Sequence, residues 1–137
     1  MRAVFDPNVL IAAALSPRGA PAELVTRWLA GEFELIASDL LLAELERALG
    51  YPKLSERIPP TDAAQLVALL RNAAVHAPDP ASAPSRSPDP GDDYLLALAE
   101  AVGAPLVSGD RHLLGLADRF PVIAARAFLG QLQPRFG

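Results

Sequence analysis

The residues best suited to chemistry in this chain are four acids that lie far apart in the sequence: Asp6, Glu44, Asp92 and Asp110. Carboxylates held close together raise one another's pKa values, and they destabilise a fold when all are ionised. A hard divalent cation removes that cost, and Mg²⁺ and Mn²⁺ both prefer oxygen ligands. A cluster of these acids would therefore predict a Mg²⁺ site, with Mn²⁺ as a second candidate. Such an ion can activate water for attack on a phosphodiester.

Each acid also has a structural interpretation. Asp6 and Asp110 could cap helices, since Asp is common at that position. Asp92 and Asp93 begin an apolar helix, where negative charge interacts well with the helix dipole. Glu44 could be a surface residue of a charged helix. No single acid is diagnostic, so the metal-site hypothesis depends on the acids meeting in space.

The hydrophobic pattern predicts the elements that would bring the acids together. Strands are predicted at 2–5, 33–37, 75–77, 105–108 and 122–123, and helices at 9–15, 21–30, 39–49, 62–74, 92–102, 113–118 and 125–132. Ser38 and Thr61 are the expected N-caps, and Gly31, Gly50 and Gly103 the expected helix ends. Segment 51–60 is expected to be irregular, and 78–91 to be a loop rich in Pro and Ser.

Strands that alternate with helices predict an α/β fold with a parallel sheet of four or five strands and helices on both faces. Ligands of such sheets bind at the carboxyl ends of the strands. Asp6 and Asp110 each follow a predicted strand, and Asp92 opens the helix before the strand at 105–108. Glu44 lies in the helix after the second strand. The fold would therefore deliver acids near one edge of the sheet.

Composition predicts one globular domain, residues 1–137, with 51% hydrophobic residues. The absence of cysteine excludes disulfides and thiolate chemistry and fits a cytoplasmic protein. No apolar run reaches the ~20 residues that span a bilayer, so no membrane association is expected. The net charge of −4 has the wrong sign for binding nucleic acid by charge alone, but a divalent cation would invert the local field.

Three segments together resemble the PIN-domain ribonucleases, in the VapC-like branch of toxin–antitoxin toxins. FDPNVLIAAAL is similar to the opening strand and aspartate, and SDLLLAELERAL to the second motif. DPGDDYLLALAEAVGAPLVSGDRHLL is similar to the long C-terminal motif. The resemblance runs from Met1 to about Leu132. The order and spacing of the three segments are more specific than any one of them.

The resemblance assigns roles residue by residue. Asp6, Glu44, Asp92 and Asp110 match the four metal-binding acids in that order, and Asp93 could replace Asp92 if the register shifts by one.

Asn8 and Ser108 match polar residues that orient the carboxylates or bound water. Pro7, Gly91 and His112 depart from the residues common at their positions, and none of these departures removes one of the four acids.

The resemblance further implies metal-dependent hydrolysis of RNA, a role as a toxin, a protein antitoxin and a homodimer. Two other functions stay open. A phosphatase or phosphotransferase would use Asp6 as a nucleophile, but position 8 is Asn rather than a second acid and Lys53 is the only lysine. A PIN-fold binding module without activity would keep the fold alone.

Overall fold

The computed structural model describes residues 1–87 and 89–132. Its centre is a parallel sheet whose strands lie in the order β3-β2-β1-β4-β5. The strands are β1 Arg2–Phe5, β2 Glu34–Ala37, β3 Val75–His76, β4 Leu106–Val107 and β5 Val122–Ile123. Helices flank this sheet, so the predicted α/β fold with four or five parallel strands is confirmed, with five. Pro88 and residues 133–137 lie outside the described residues. Pro88 is part of the predicted loop at 78–91, and both Pro88 and residues 133–137 are part of the predicted domain at 1–137.

β1 is the middle strand, and this position decides where the first acid lies. Val4 is in register with Ile36 of β2 on one side and with Leu106 of β4 on the other. Ala3, Val4 and Phe5 are fully buried, as expected of a parallel strand covered on both faces. The residue after β1, Asp6, therefore projects from the centre of the sheet's carboxyl edge.

The described residues contain eight α-helices and one 3₁₀ turn. The helices are α1 Pro7–Leu15, α2 Ala20–Leu29, α3 Asp39–Leu49, α4 Pro52–Ser55, α5 Pro60–Ala73, α6 Asp93–Val102, α7 Arg111–Leu114 and α8 Ala125–Gln131, and the turn is Pro90–Asp92. Ser38 caps α3 as predicted, because its Oγ accepts a hydrogen bond from the N–H of Leu41. α6 ends at Gly103, whose left-handed φ of 65° suits glycine.

Several predicted boundaries are wrong, and proline explains two of them. α5 begins at Pro60 with Pro59 as its N-cap, so Thr61 lies inside the first turn and is not the cap. Segment 51–60, predicted to be irregular, contains the short helix α4 with Pro52 in its first turn. Proline is well suited to a first helical turn, because its missing N–H would have no partner there.

The core joins the sheet to the helices through aromatic rings. Phe5 of β1 packs against Phe33 and Phe128, with ring centroids 5.8 and 6.5 Å away. Trp28 is 6% exposed and belongs to this core. None of the helices in residues 1–87 and 89–132 has the length and apolar character needed to cross a membrane.

Candidate functional site

Asp6 is held in place by the ends of two neighbouring strands. It follows β1 and caps α1, and only 3% of its surface is exposed. Its Oδ1 accepts a hydrogen bond from the backbone N–H of Asn8 at 3.0 Å, and its Oδ2 accepts one from Ser108 Oγ at 2.9 Å. Ser108 Oγ in turn accepts from the N–H of Asp110 at 3.1 Å. Ser108 therefore links the first acid to the fourth, while the contact of Asn8 is made by its backbone.

Asp110 follows β4 and caps the short helix α7, where its Oδ1 accepts from the N–H of His112 at 2.7 Å. Asp6 and Asp110 thus both cap helices, as their structural interpretation predicts. They also lie close to each other, because Ser108 contacts both. Burial raises the pKa of Asp6; the hydrogen bonds from Asn8 and Ser108 lower it, and the charge of Asp110 raises it. The carboxyl edge of β1 and β4 therefore carries two acids that interact electrostatically.

Asp92 and Asp93 are neighbours in sequence with different surroundings. Asp93 is buried, and its Oδ1 accepts hydrogen bonds from the N–H groups of Arg86 and Ser87, at 3.0 and 2.8 Å. These bonds fasten the end of the long loop to the start of α6. Asp92, by contrast, has a buried Oδ2 that makes no hydrogen bond with the described residues. This difference favours Asp92 over Asp93 as the third acid of the site.

The surroundings of Asp92 are strongly unfavourable for a negative charge. Burial raises the pKa of Asp92 to about 6, and four neighbouring negative charges add to the shift: Asp6, Asp89, Asp110 and Asp93. Because Asp6 and Asp110 act on Asp92, three of the four predicted acids share one region of the molecule. This is the arrangement in which a cation would relieve repulsion.

Glu44 lies in the second turn of α3, and its side chain is partly exposed. Its Oε2 is 2.5 Å from Nη2 of Arg47, one turn further along the same helix. The Glu44 side chain is 42% exposed and that of Arg47 is 62% exposed. In this conformation Glu44 forms a surface ion pair, as its structural interpretation predicts.

The donor set fits a hard divalent cation, although the acids are not assembled around one. Within residues 1–87 and 89–132, no group of three or more His, Asp or Glu side chains is arranged so that it could hold a metal ion. The unpartnered Oδ2 of Asp92 and the mutual repulsion of Asp6, Asp92 and Asp110 are features that a bound cation would stabilise. The chemistry of the oxygen donors therefore matches Mg²⁺ or Mn²⁺.

Two further residues belong to this region and were not identified from the sequence. The hydroxyl of Tyr94 and Oδ1 of Asp79 are buried and make no hydrogen bonds with the described residues. Asp79 Oδ2 accepts from the N–H of Leu40 at 3.0 Å, in the first turn of α3. Burial raises the pKa of Tyr94, and so do the nearby carboxylates of Glu44, Asp6, Asp92 and Asp79. Tyr94 directly follows the acids of the third motif, which is the one sequence signal that could have singled it out.

A cavity of about 330 Å³ opens beside the acids, with Asn8, Ala12, Pro21 and Asp110 in its walls. A larger one of about 480 Å³ lies between α3 and α5, lined by residues such as Leu49 and Val67, and none of the four acids contributes to it. Of these two cavities, only the smaller one has a predicted site acid, Asp110, in its walls.

A family model of the PIN domain matches residues 2–112. The chain belongs to the PIN-domain family. The matched segment of this PIN domain includes all four predicted acids and ends before β5 and α8. No curated protein matches the chain.

Three solved structures resemble this PIN domain over at least 90% of its chain. VapBC2 from Rickettsia felis, bound to a DNA fragment from its promoter, has a TM-score of 0.63 at 14% identity, covering 90% of this chain and 97% of that one. VapBC-1 from nontypeable Haemophilus influenzae has a TM-score of 0.62 at 16% identity, covering 92% and 99%. A domain of a functionally unknown protein from Methanocaldococcus jannaschii has a TM-score of 0.55 at 15% identity, covering 90% and 89%. At these identities the likeness establishes the fold alone.

Proposed function

We propose that this PIN domain is a metal-dependent endoribonuclease that hydrolyses phosphodiester bonds in RNA. The observation that carries the proposal is the carboxylate of Asp92, which has a buried, unpartnered oxygen in the field of Asp6 and Asp110. A fold keeps such an unfavourable charge where a cation neutralises it, and the family match accounts for the nuclease chemistry.

The cation, Mg²⁺ or Mn²⁺, would be held by Asp6 and Asp92, with Glu44 and Asp110 completing the site directly or through water. When bound, it would supply the positive charge that activates water and stabilises the leaving oxygen. The chain's own residues would orient the ligands. Ser108 and the N–H of Asn8 fix both oxygens of Asp6, and Ser108 also fixes the loop that carries Asp110. Such supporting contacts matter for metal affinity, since their loss typically weakens binding by about 10- to 100-fold.

The biological role that we propose is that of the toxin in a toxin–antitoxin pair in the cytoplasm. Two of the similar structures are VapBC assemblies, and the three motifs resemble the VapC-like branch. On this proposal the domain binds a protein antitoxin and forms a homodimer. Co-purification with the product of an adjacent small gene, followed by loss of RNA cleavage in the complex, would test the antitoxin part of the proposal.

The nuclease proposal is tested by incubating the purified chain with structured RNA in Mg²⁺, Mn²⁺ or EDTA. We expect cleavage by the wild type with either metal and none in EDTA. Asp6→Asn should abolish it, while Asp62→Asn, an exposed acid in the first turn of α5, should leave it unchanged. Phosphate release from small esters without RNA cleavage would support the phosphatase alternative instead. Metal binding without turnover of either substrate would support a silent binding module.

A further inference from the structure

Glu44 interacts with two side chains, Arg47 and Tyr94, and it is bonded only to Arg47 in this structure. Arg47 contacts its Oε2 at 2.5 Å, in a pair whose two members are both substantially exposed. Exposed ion pairs of this kind contribute little to stability, because water and salt screen the two charges. Glu44 is therefore held at the surface weakly, and a competing partner could displace Arg47.

The second side chain is Tyr94, in the first turn of α6 beside Asp92 and Asp93. Its hydroxyl is buried and makes no hydrogen bond with the described residues. Of the carboxylates that act on Tyr94, Glu44 has the largest effect, and Tyr94 also acts electrostatically on Arg47. The three side chains thus interact with one another, and of the two that act with Glu44, Arg47 is exposed whereas the Tyr94 hydroxyl is buried.

The chemistry of the two partners differs in a way that matters for a cation. Arg47 carries a positive charge, so its pairing with Glu44 competes with any metal ion for the same carboxylate. A phenol O–H is neutral and donates one hydrogen bond. The phenol can donate to one carboxylate oxygen and leave the other oxygen free to bind a metal ion. A buried donor left without an acceptor destabilises the fold, so a contact that gives the Tyr94 hydroxyl an acceptor is favourable.

We propose that Tyr94 is a positioning residue for Glu44, and that Arg47 opposes it. In this inference, which rests on the proposed metal-dependent function, Glu44 leaves Arg47 when the cation binds. It then turns toward Asp6 and Asp92 and accepts a hydrogen bond from the Tyr94 hydroxyl. Arg47 holds the same carboxylate at the surface in the absence of metal. The two residues therefore have opposite effects on metal affinity.

The test is a titration of the full chain with Mn²⁺ at pH 7.5 without RNA, followed by the electron paramagnetic resonance signal of the free ion. Tyr94→Phe removes the hydroxyl alone and should weaken Mn²⁺ binding about tenfold. Arg47→Gln should tighten binding by up to about fivefold. Tyr51→Phe is the matched control, because Tyr51 also acts electrostatically on Arg47 but is 50% exposed. Its Mn²⁺ affinity should equal that of the wild type.

Opposite shifts for Tyr94→Phe and Arg47→Gln support the inference, since it requires that the two residues act on metal affinity in opposite directions. Equal affinity of Tyr94→Phe and the wild type, or a shift of both variants in the same direction, overturns it. Arg47 is exposed, so Arg47→Gln should fold normally. Its Mn²⁺ affinity can therefore be measured even if Tyr94→Phe folds poorly. A wild-type chain that binds no Mn²⁺ overturns the proposed function, and this inference with it.

Discussion

Ser108 Oγ donates a 2.9 Å hydrogen bond to Oδ2 of Asp6, and both residues are buried although they lie 102 positions apart in the chain. The bond joins the carboxyl ends of β1 and β4, the two strands that deliver the first and the fourth acid. Ser108 has a second role at the same atom, because its Oγ accepts from the N–H of Asp110. One hydroxyl therefore fixes two of the four acids.

Ser108→Ala should lower the free energy of unfolding by about 1–3 kcal/mol, because it leaves Oδ2 of Asp6 buried without its donor. Urea denaturation in EDTA measures the loss. Ser55→Ala is the matched control: the Ser55 hydroxyl donates to the carbonyl of Pro52 on the exposed helix α4. That variant should stay within about 0.5 kcal/mol of the wild type. Equal stability of the two variants would show that the contact with Asp6 does not stabilise the fold.

Asp92 should make the metal-free domain less stable as the pH rises. Its pKa is about 6 in the fold against 3.8 as the ordinary value, so between these values the folded chain binds the extra proton. The free energy of unfolding then falls through that window. Since the side chain is partly exposed, solvent screening limits the effect to about 1 kcal/mol. Asp92→Asn should match the wild type near pH 4 and exceed it near pH 7, in urea denaturation with EDTA.

The same titration should govern metal binding. A proton on Asp92 competes with the cation, so Mg²⁺ should raise the melting temperature of the wild type more at pH 7.5 than at pH 5. The rise should be smaller in Asp92→Asn at pH 7.5. A variant that is less stable than the wild type at every pH without metal would mean that Asp92 serves as a structural helix cap.

Asp92→Ala and Asp93→Ala form a matched pair with opposite expected effects. Asp93 accepts two backbone hydrogen bonds from the loop, and bonds to a charged group each contribute about 1.5–3 kcal/mol. Asp93→Ala should therefore destabilise the metal-free domain by at least about 2 kcal/mol and speed protease cleavage near Arg86. Asp92→Ala should be neutral or stabilising. The measurement is the midpoint of urea denaturation in EDTA. If Asp92→Ala were the destabilised variant and Asp93→Ala were not, the roles given to the two acids would have to be exchanged.

Two glycines next to open space should respond oppositely to alanine. A Cβ at Gly103 or Gly130 would meet no atom within 4 Å, so sterics play no part at either site. Gly103 has a φ of +65°, and alanine there should cost about 1 kcal/mol. Gly130 lies within α8, and alanine should stabilise by about 0.4–1 kcal/mol. Thermal melts of the two variants should move in opposite directions, and a loss at both would contradict the conformational explanation.

The sequence allowed the sheet to be predicted because its strands are buried apolar runs closed by polar residues. Strand β1 and helix α3 have the predicted bounds, since Phe5 is followed by Asp6 and the cap Ser38 precedes α3. Thr61 was predicted as a cap because its side chain suits that role. The chain instead uses Pro59 and Pro60, and their fixed φ angles begin the helix earlier.

The finer features of the site depend on tertiary contacts that no local pattern contains. The different roles of Asp92 and Asp93 follow from where the N–H groups of Arg86 and Ser87 point. Asp79 enters the region because the long loop reaches the first turn of α3, where Asp79 accepts from the N–H of Leu40, and Tyr94 enters it because its hydroxyl is buried in the field of the acids. The pairing of Glu44 with Arg47 depends on side-chain rotation, which helical spacing permits but does not require.

The position of β1 has a consequence for protein synthesis. This strand needs β4 to cover one of its edges, and β4 is made about 100 residues later. Until then the edge is a row of unpaired backbone groups, which is a template for aggregation. A translation product that stops before Leu106 therefore lacks both β4 and Ser108, so this edge stays exposed and Asp6 has no side-chain donor. We expect such fragments to be both inactive and insoluble.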